Sequence, residues 1–105
     1  MAILELSERI RKLSQSIYCT DVNIYSEIHK LIPEIQNYYL DFISLIPKLN
    51  EIGMNISHDG IISQLKNLLE AIANKDRVKL FDILSYEIND TLLFYNEIYE
   101  VINGK

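Results

Sequence analysis

The chain has one cysteine, two prolines, three glycines and only three alanines in its 105 residues. A lone thiol, Cys19, closes no intramolecular disulfide, so the fold is not a disulfide framework, and a reducing cytosol suits it. None of the glycines is arrayed as a phosphate-cradling turn, which excludes a nucleotide-binding loop. Uninterrupted apolar runs are short, such as Leu92–Leu93–Phe94–Tyr95, against the ~20 residues that a membrane span needs. The N-terminal stretch has no basic segment followed by an apolar run, so no signal peptide is expected and the expected location is cytoplasmic. Positive charge is also scarce. Ten basic residues against fifteen acidic ones leave a net charge of −5, which argues against nucleic acid as a primary partner. Arg9, Arg11 and Lys12 cluster, but Glu5 and Glu8 balance them, the pattern of a solvated face. The bias to isoleucine, asparagine and tyrosine fits an AT-rich bacterial genome.

What the chain does have is an apolar residue at nearly every helical step. From Ile24 the series runs Ile28, Leu31, Ile35, Tyr38, Phe42, Leu45, Leu49 and Ile52, alternating steps of four and three. That period puts all of them on one stripe of a long helix. The same step recurs at Ile3, Leu6, Ile10, Leu13 and Ile17, at Ile61, Leu65, Leu68 and Ile72, and at Phe81, Leu84, Ile88, Thr91, Tyr95, Ile98 and Ile102. These spacings predict an all-α fold: an antiparallel four-helix bundle in a single domain over 1–105, built as two helical hairpins in the order short, long, short, long.

The boundaries follow from caps and breakers. Helix 1 is expected over 3–18, stopping near Cys19–Thr20–Asp21, with Thr20 or Asp21 capping helix 2 over 22–52. Helix 3 is expected over 59–74 and helix 4 over 76–102, with Asp76 as its cap and Asn103–Gly104 as its stop. Gly53–Gly60 is the clear loop. Pro33 and Pro47 fall inside helix 2 and each removes one backbone hydrogen bond. The apolar ladder passes both prolines in phase, and Pro33, Leu40 and Pro47 lie opposite the core stripe. We therefore expect one helix kinked at both prolines; the rival is a helix that ends near Ile32 and restarts.

No catalytic, cofactor-binding or metal-binding constellation stands out in the chain, so it is not expected to be an enzyme. His29 sits two residues from Glu27, a spacing that points the two apart on a helix, whereas ligands lie three or four apart. Ser57–His58–Asp59 has the residue types of a hydrolase triad, but a triad needs convergent geometry, not sequence adjacency. Asp82, Glu87, Asp90, Glu97 and Glu100 on helix 4 have no histidine partner and match a solvated face. Cys19 is expected to be a buried structural thiol. The apolar residues off the core stripe carry more. Tyr86 and Leu93 on helix 4 and Leu40 on helix 2, with Tyr25 and Ile43 beside it, are the protein-contact candidates.

The stretch Leu69–Ile88 resembles an uncharacterised family of small helical proteins from Clostridium-like bacteria, whose pattern reads approximately A-L-E-N-K-D-Y-x-L-L-A-D-I-L-E-Y-E-L. Ala71, Asn74, Lys75, Asp76, Leu80, Asp82, Ile83, Leu84, Tyr86 and Glu87 carry the likeness. Arg77 departs where the pattern has an aromatic residue, and Phe81 where it has a small one. The resemblance implies a helical hairpin and a bacterial source, and no activity. A looser, architectural likeness is to flagellar and secretion export chaperones, which are small, acidic, cytosolic helical bundles. Because the short helices cannot cover the long ones, helices 2 and 4 should keep uncovered apolar length. The expected function is then a protein-interaction module, adaptor-like or export-chaperone-like, holding an amphipathic segment of a partner. The alternative is a structural homo-oligomer, such as a homodimer, in which helices 2 and 4 complete each other. Neither nucleic acid nor membrane is an expected partner.

Overall fold

The computed structural model describes residues 2–17 and 23–103. They form an all-α bundle of four helices: α1 (Ile3–Gln15), α2 (Ile24–Glu51), α3 (His58–Ala73) and α4 (Arg77–Asn103). Helix α4 is α-helical over Arg77–Asp82 and Asn89–Asn103, with a π-helical segment, Ile83–Ile88, between them. Side-chain contacts fix the directions. Ser7 on α1 hydrogen-bonds Asn89 at one level of α4, while the Arg77 guanidinium donates to the Ile17 carbonyl at the other, so α1 and α4 are antiparallel. Arg77 also lies over the Tyr25 ring at 5.9 Å, and Phe42 stacks on Tyr95 at 5.2 Å, so α2 and α4 run parallel. With short connections between successive helices, this is the up-down-up-down arrangement.

Unequal length is the main feature of this bundle. Helix α2 has 28 residues, α1 has 13 and α3 has 16. At 1.5 Å per residue, α2 and α4 each extend about 40 Å, against about 20–24 Å for α1 and α3. The long axis of the molecule is 46 Å. The core divides accordingly. The main cluster takes residues from all four helices, among them Leu6, Ile10, Ile28, Ile35, Leu68, Leu84 and Ile88. A second cluster, Phe42, Ile46, Leu49, Tyr95 and Ile98, comes from α2 and α4 alone. Ile3 and Ile61, near the starts of α1 and α3, reach only its edge. Each fully buried Leu, Ile or Phe contributes roughly 1.5–3 kcal/mol of transfer free energy, so the main cluster dominates stability.

Helix α2 is continuous through both prolines, and Pro33, Leu40 and Pro47 are all exposed. The prolines therefore sit on the solvent side of the helix, where a missing backbone hydrogen bond is best tolerated. The buried stripe of α2 differs in detail from the expected ladder. It runs Ile24, Ile28, Leu31, Ile35, Tyr39, Phe42, Ile46 and Leu49. Tyr38 and Leu45 are only half-buried, and Ile52 is 74% exposed. A ladder of strict 3.5-residue steps drifts ~20° per heptad against a 3.6-residue helix. Over 28 residues that drift hands the core face from Tyr38 to Tyr39 and from Leu45 to Ile46, and carries Ile52 out of it.

Helix α4 shows a comparable shift. Leu80, Ile83 and Leu92, outside the expected series, are buried beside Leu84, Ile88, Thr91, Tyr95 and Ile98. The π segment explains part of this. Its i→i+5 bonding widens the turn beyond that of an α-helix, which brings Ile83 and Ile88 closer to one face than an α-helix would. Phe81 is half-buried, and the Ile102 side chain lies outside the described residues.

Caps close the helix ends. The side chains of Asn23, Ser57 and Asp76 accept from the amides of Ser26, Gly60 and Lys79, so Asp76 caps α4 as expected. Asn23 caps α2; Thr20, Asp21, Cys19 and Gly104 lie outside the described residues. Helix α1 ends at Gln15, three residues short of expectation, and Ile17 is buried in the turn beyond it. Both α2 and α3 end in the paired 6→1 and 5→2 bonds of a Schellman motif. At α2, Met54 donates to Leu49 and Gly53 to Asn50; at α3, Asp76 donates to Ala71 and Lys75 to Ile72. The left-handed position is Gly53 (φ 94°) in the first and Lys75 (φ 53°) in the second.

Candidate functional site

Beyond the starts of α1 and α3, the second core cluster is itself buried, but the apolar residues past its end are not covered, and an apolar groove opens there. Leu49 and Ile52 of α2, Met54 of the loop, and Phe94, Glu97, Ile98 and Val101 of α4 line it. Three of these side chains are more open than a folded core would leave them: Ile52 is 74% exposed, Val101 80% and Phe94 40%. Each has a local reason. Phe94, Glu97 and Val101 follow a three-four step on the outward face of α4, one position off the buried Tyr95 and Ile98. Ile52 is carried outward by the helical drift along α2 and is the C-cap residue of that helix.

The floor and one wall are fixed. Phe42 stacks on Tyr95 and meets Phe94 edge-on, with ring centroids 6.1 Å apart. Burial, and then the Asp41 carboxylate, push the Tyr95 phenol above its ordinary range, so it is neutral at physiological pH. The loop is tied down by Asn50, whose side chain accepts from the Ile56 amide at 2.6 Å and donates to the Ile56 carbonyl at 3.1 Å. With the Schellman bonds at Gly53 and Met54, that pins 50–56 against α2. The groove is therefore preformed, so an occupant does not have to order it first.

The sequence-derived contact residues are dispersed. Tyr86 is 63% exposed and meets Phe81 edge-on at 6.3 Å; it lines a different, more polar surface with Arg11, Ser14, Gln15, Ser85 and Asn89, between α1 and α4. Leu93 is exposed beside Phe94 but lines neither surface. Leu40 is exposed on the outer side of α2, between the two prolines. Tyr25 and Ile43 are half-buried against the main and second clusters respectively. The Tyr25 hydroxyl is enclosed without a hydrogen-bond partner and its ring is covered by Arg77, so it presents little open surface. The groove residues Phe94, Val101, Ile52 and Met54 were not among the candidates. Their signal was the apolar run at 92–95 together with the length mismatch between short and long helices.

The candidate chemical groups stay apart. The Ser57 hydroxyl caps Gly60 and is not a nucleophile partner of His58, which instead faces a fully exposed Asp59 at 3.5 Å. His29 is exposed. Among the described residues no group of three or more His, Cys, Asp or Glu side chains converges as metal ligands would. Among them, too, no helix is long and apolar enough to cross a membrane. One buried polar cluster lies at mid-bundle: Tyr39 and Thr91 both donate to the Gln64 carbonyl oxygen, at 2.5 and 2.7 Å. Burial raises the Tyr39 phenol well above its ordinary range, which keeps it a donor. The cluster is largely buried and its hydroxyls are hydrogen-bonded, so it ties α2, α3 and α4 together. No family model matches the chain, and no curated protein or solved structure is significantly similar to it, so the groove has to be read from its own residues.

Proposed function

We propose that this chain is a non-enzymatic protein-interaction module, adaptor-like or export-chaperone-like, that holds an amphipathic segment of a partner between the C-terminal ends of α2 and α4. One observation carries the reading: α1 and α3 reach only the edge of the second apolar cluster, and past that edge Ile52, Phe94 and Val101 stay open along a preformed groove. A helix laid there would complete the bundle where the short helices stop, the helix-in-groove mode of recognition. The single cysteine and acidic balance suit a bacterial cytoplasmic setting.

Heteronuclear NMR of the labelled protein titrated with an amphipathic helical peptide tests this. Shifts should concentrate at Leu49, Ile52, Met54, Phe94, Ile98 and Val101, and Phe94→Ser with Val101→Ser should remove them while the chain stays folded. Shifts confined to other faces would end the reading.

A further inference from the structure

Resting on the groove reading above, we infer that the occupant is a basic amphipathic helix of another protein: apolar side chains at i, i+3 or i+4 and i+7, flanked by Lys or Arg. The placement of charge carries this. Asn89–Asn103 is 15 residues long and holds Asp90, Glu97 and Glu100 but no basic side chain. Asp90, Phe94, Glu97 and Val101 follow a four-three-four step, so carboxylates and apolar side chains alternate along one exposed stripe. Glu97 itself lines the groove, and Glu51 adds a carboxylate next to Ile52. Lys48 is the one basic residue between 37 and 53. Most of the chain's basic surface lies elsewhere. Arg9, Lys12 and Lys30 line a shallow surface between α1 and α2. That surface is about 30 Å from the groove, at 1.5 Å per residue along α2.

This distribution separates the possible occupants. A second copy docked by two-fold symmetry would set the acidic stripe of Asp90 and Glu97 against the same stripe of its partner, with no basic side chain on Asn89–Asn103 to offset it, a like-charge arrangement that disfavours association. An anionic membrane surface meets the same repulsion. A second copy docked head to tail could offer the basic surface of α1 and α2, but its apolar residues there are poor anchors: Leu31 is buried and Leu13 half-buried. A basic amphipathic helix satisfies both needs. Its apolar stripe covers Ile52, Phe94 and Val101, and its cations face Glu97, which lines the groove, and Asp90 on the same stripe. The groove is bounded by helices and offers no strand edge among the described residues, which favours a helix over an extended peptide.

Two fluorescent peptides of ~18 residues, long enough to be helical in water, test the inference. They share one apolar stripe and differ only in carrying Lys or Glu beside it. Fluorescence anisotropy should show the Lys peptide binding at least ~10-fold more tightly at low salt, an advantage that shrinks as salt screens it. Asp90→Lys with Glu97→Lys should reverse the order of the two peptides, with a thermal melt confirming that the variant folds. If that variant unfolds, the salt dependence of the unaltered protein decides. Equal binding of both peptides, abolished by Phe94→Ser with Val101→Ser, overturns the basic partner and leaves the groove. Binding of neither peptide overturns both. A dimer by light scattering that Phe94→Ser dissociates also overturns the inference, in favour of a second copy.

Discussion

The amide of Met54 donates to the carbonyl of Leu49 at 3.1 Å, and the two side chains then line the same groove. The bond forms only because Gly53, between α2 and Met54, is left-handed at φ 94°. A backbone turn thus sets one edge of the proposed binding surface. Gly53→Ala meets no steric contact from its Cβ, so the expected loss is the left-handed cost alone, ~1 kcal/mol. A thermal melt should show it, and NMR should show displacement at Met54.

Lys75 holds the equivalent position after α3 at φ 53° without being glycine. Lys75→Gly relieves that strain but loosens the unfolded chain, and the two terms partly cancel. A net gain of ~0.5 kcal/mol is expected in urea denaturation, opposite in sign to Gly53→Ala.

Leu84 is 1% exposed in the main cluster, within the π segment and near Leu68, Ile72 and Ile88 in the same core. Leu84→Ala should cost ~2–5 kcal/mol, a large share of a small domain's stability. A loss under about half a kcal/mol in denaturant melts would show that the core face of α4 is misplaced.

Gln64 accepts from both Tyr39 and Thr91. Gln64→Leu would remove the acceptor that both hydroxyls share and leave Tyr39 and Thr91 only each other to pair with, at ~1–3 kcal/mol in all. Adding Tyr39→Phe and Thr91→Val should recover much of that loss, because an apolar cluster of similar shape needs no partners. A triple variant no more stable than Gln64→Leu alone would argue that the loss came from packing.

Alkaline stability should fall. Tyr39, Tyr38 and Tyr95 are all raised by burial, so above the ordinary phenol pKa of ~10 the unfolded chain has lost protons that the folded chain still binds. Stability from these groups is complete below that pH and declines as pH climbs toward their folded values. Ultraviolet titration should show some of the seven tyrosines ionising only together with loss of helical circular dichroism. Independent ionisation of all seven would contradict their burial.

Local periodicity sufficed for the architecture. Four helices, their short-long-short-long order, passage through Pro33 and Pro47, and the Asp76 cap are all local properties of spacing and residue type. The shortfall of cover over α2 and α4 was legible too, since helix length follows from residue count. Three things were decided only in three dimensions. Which of Tyr38 and Tyr39, or Leu45 and Ile46, faces the core depends on drift accumulated along a helix and on what stands opposite it. The π segment at Ile83–Ile88 has no mark in a pattern that reads equally well as α-helix; it lies where α4 packs against both α1 and α3. The groove, finally, joins Ile52, Met54, Phe94 and Val101, residues up to 49 positions apart whose spacing says which way each points but not what leaves them open. A one-dimensional pattern assigns each side chain a face; only the assembled helices decide whether another element reaches far enough to cover it.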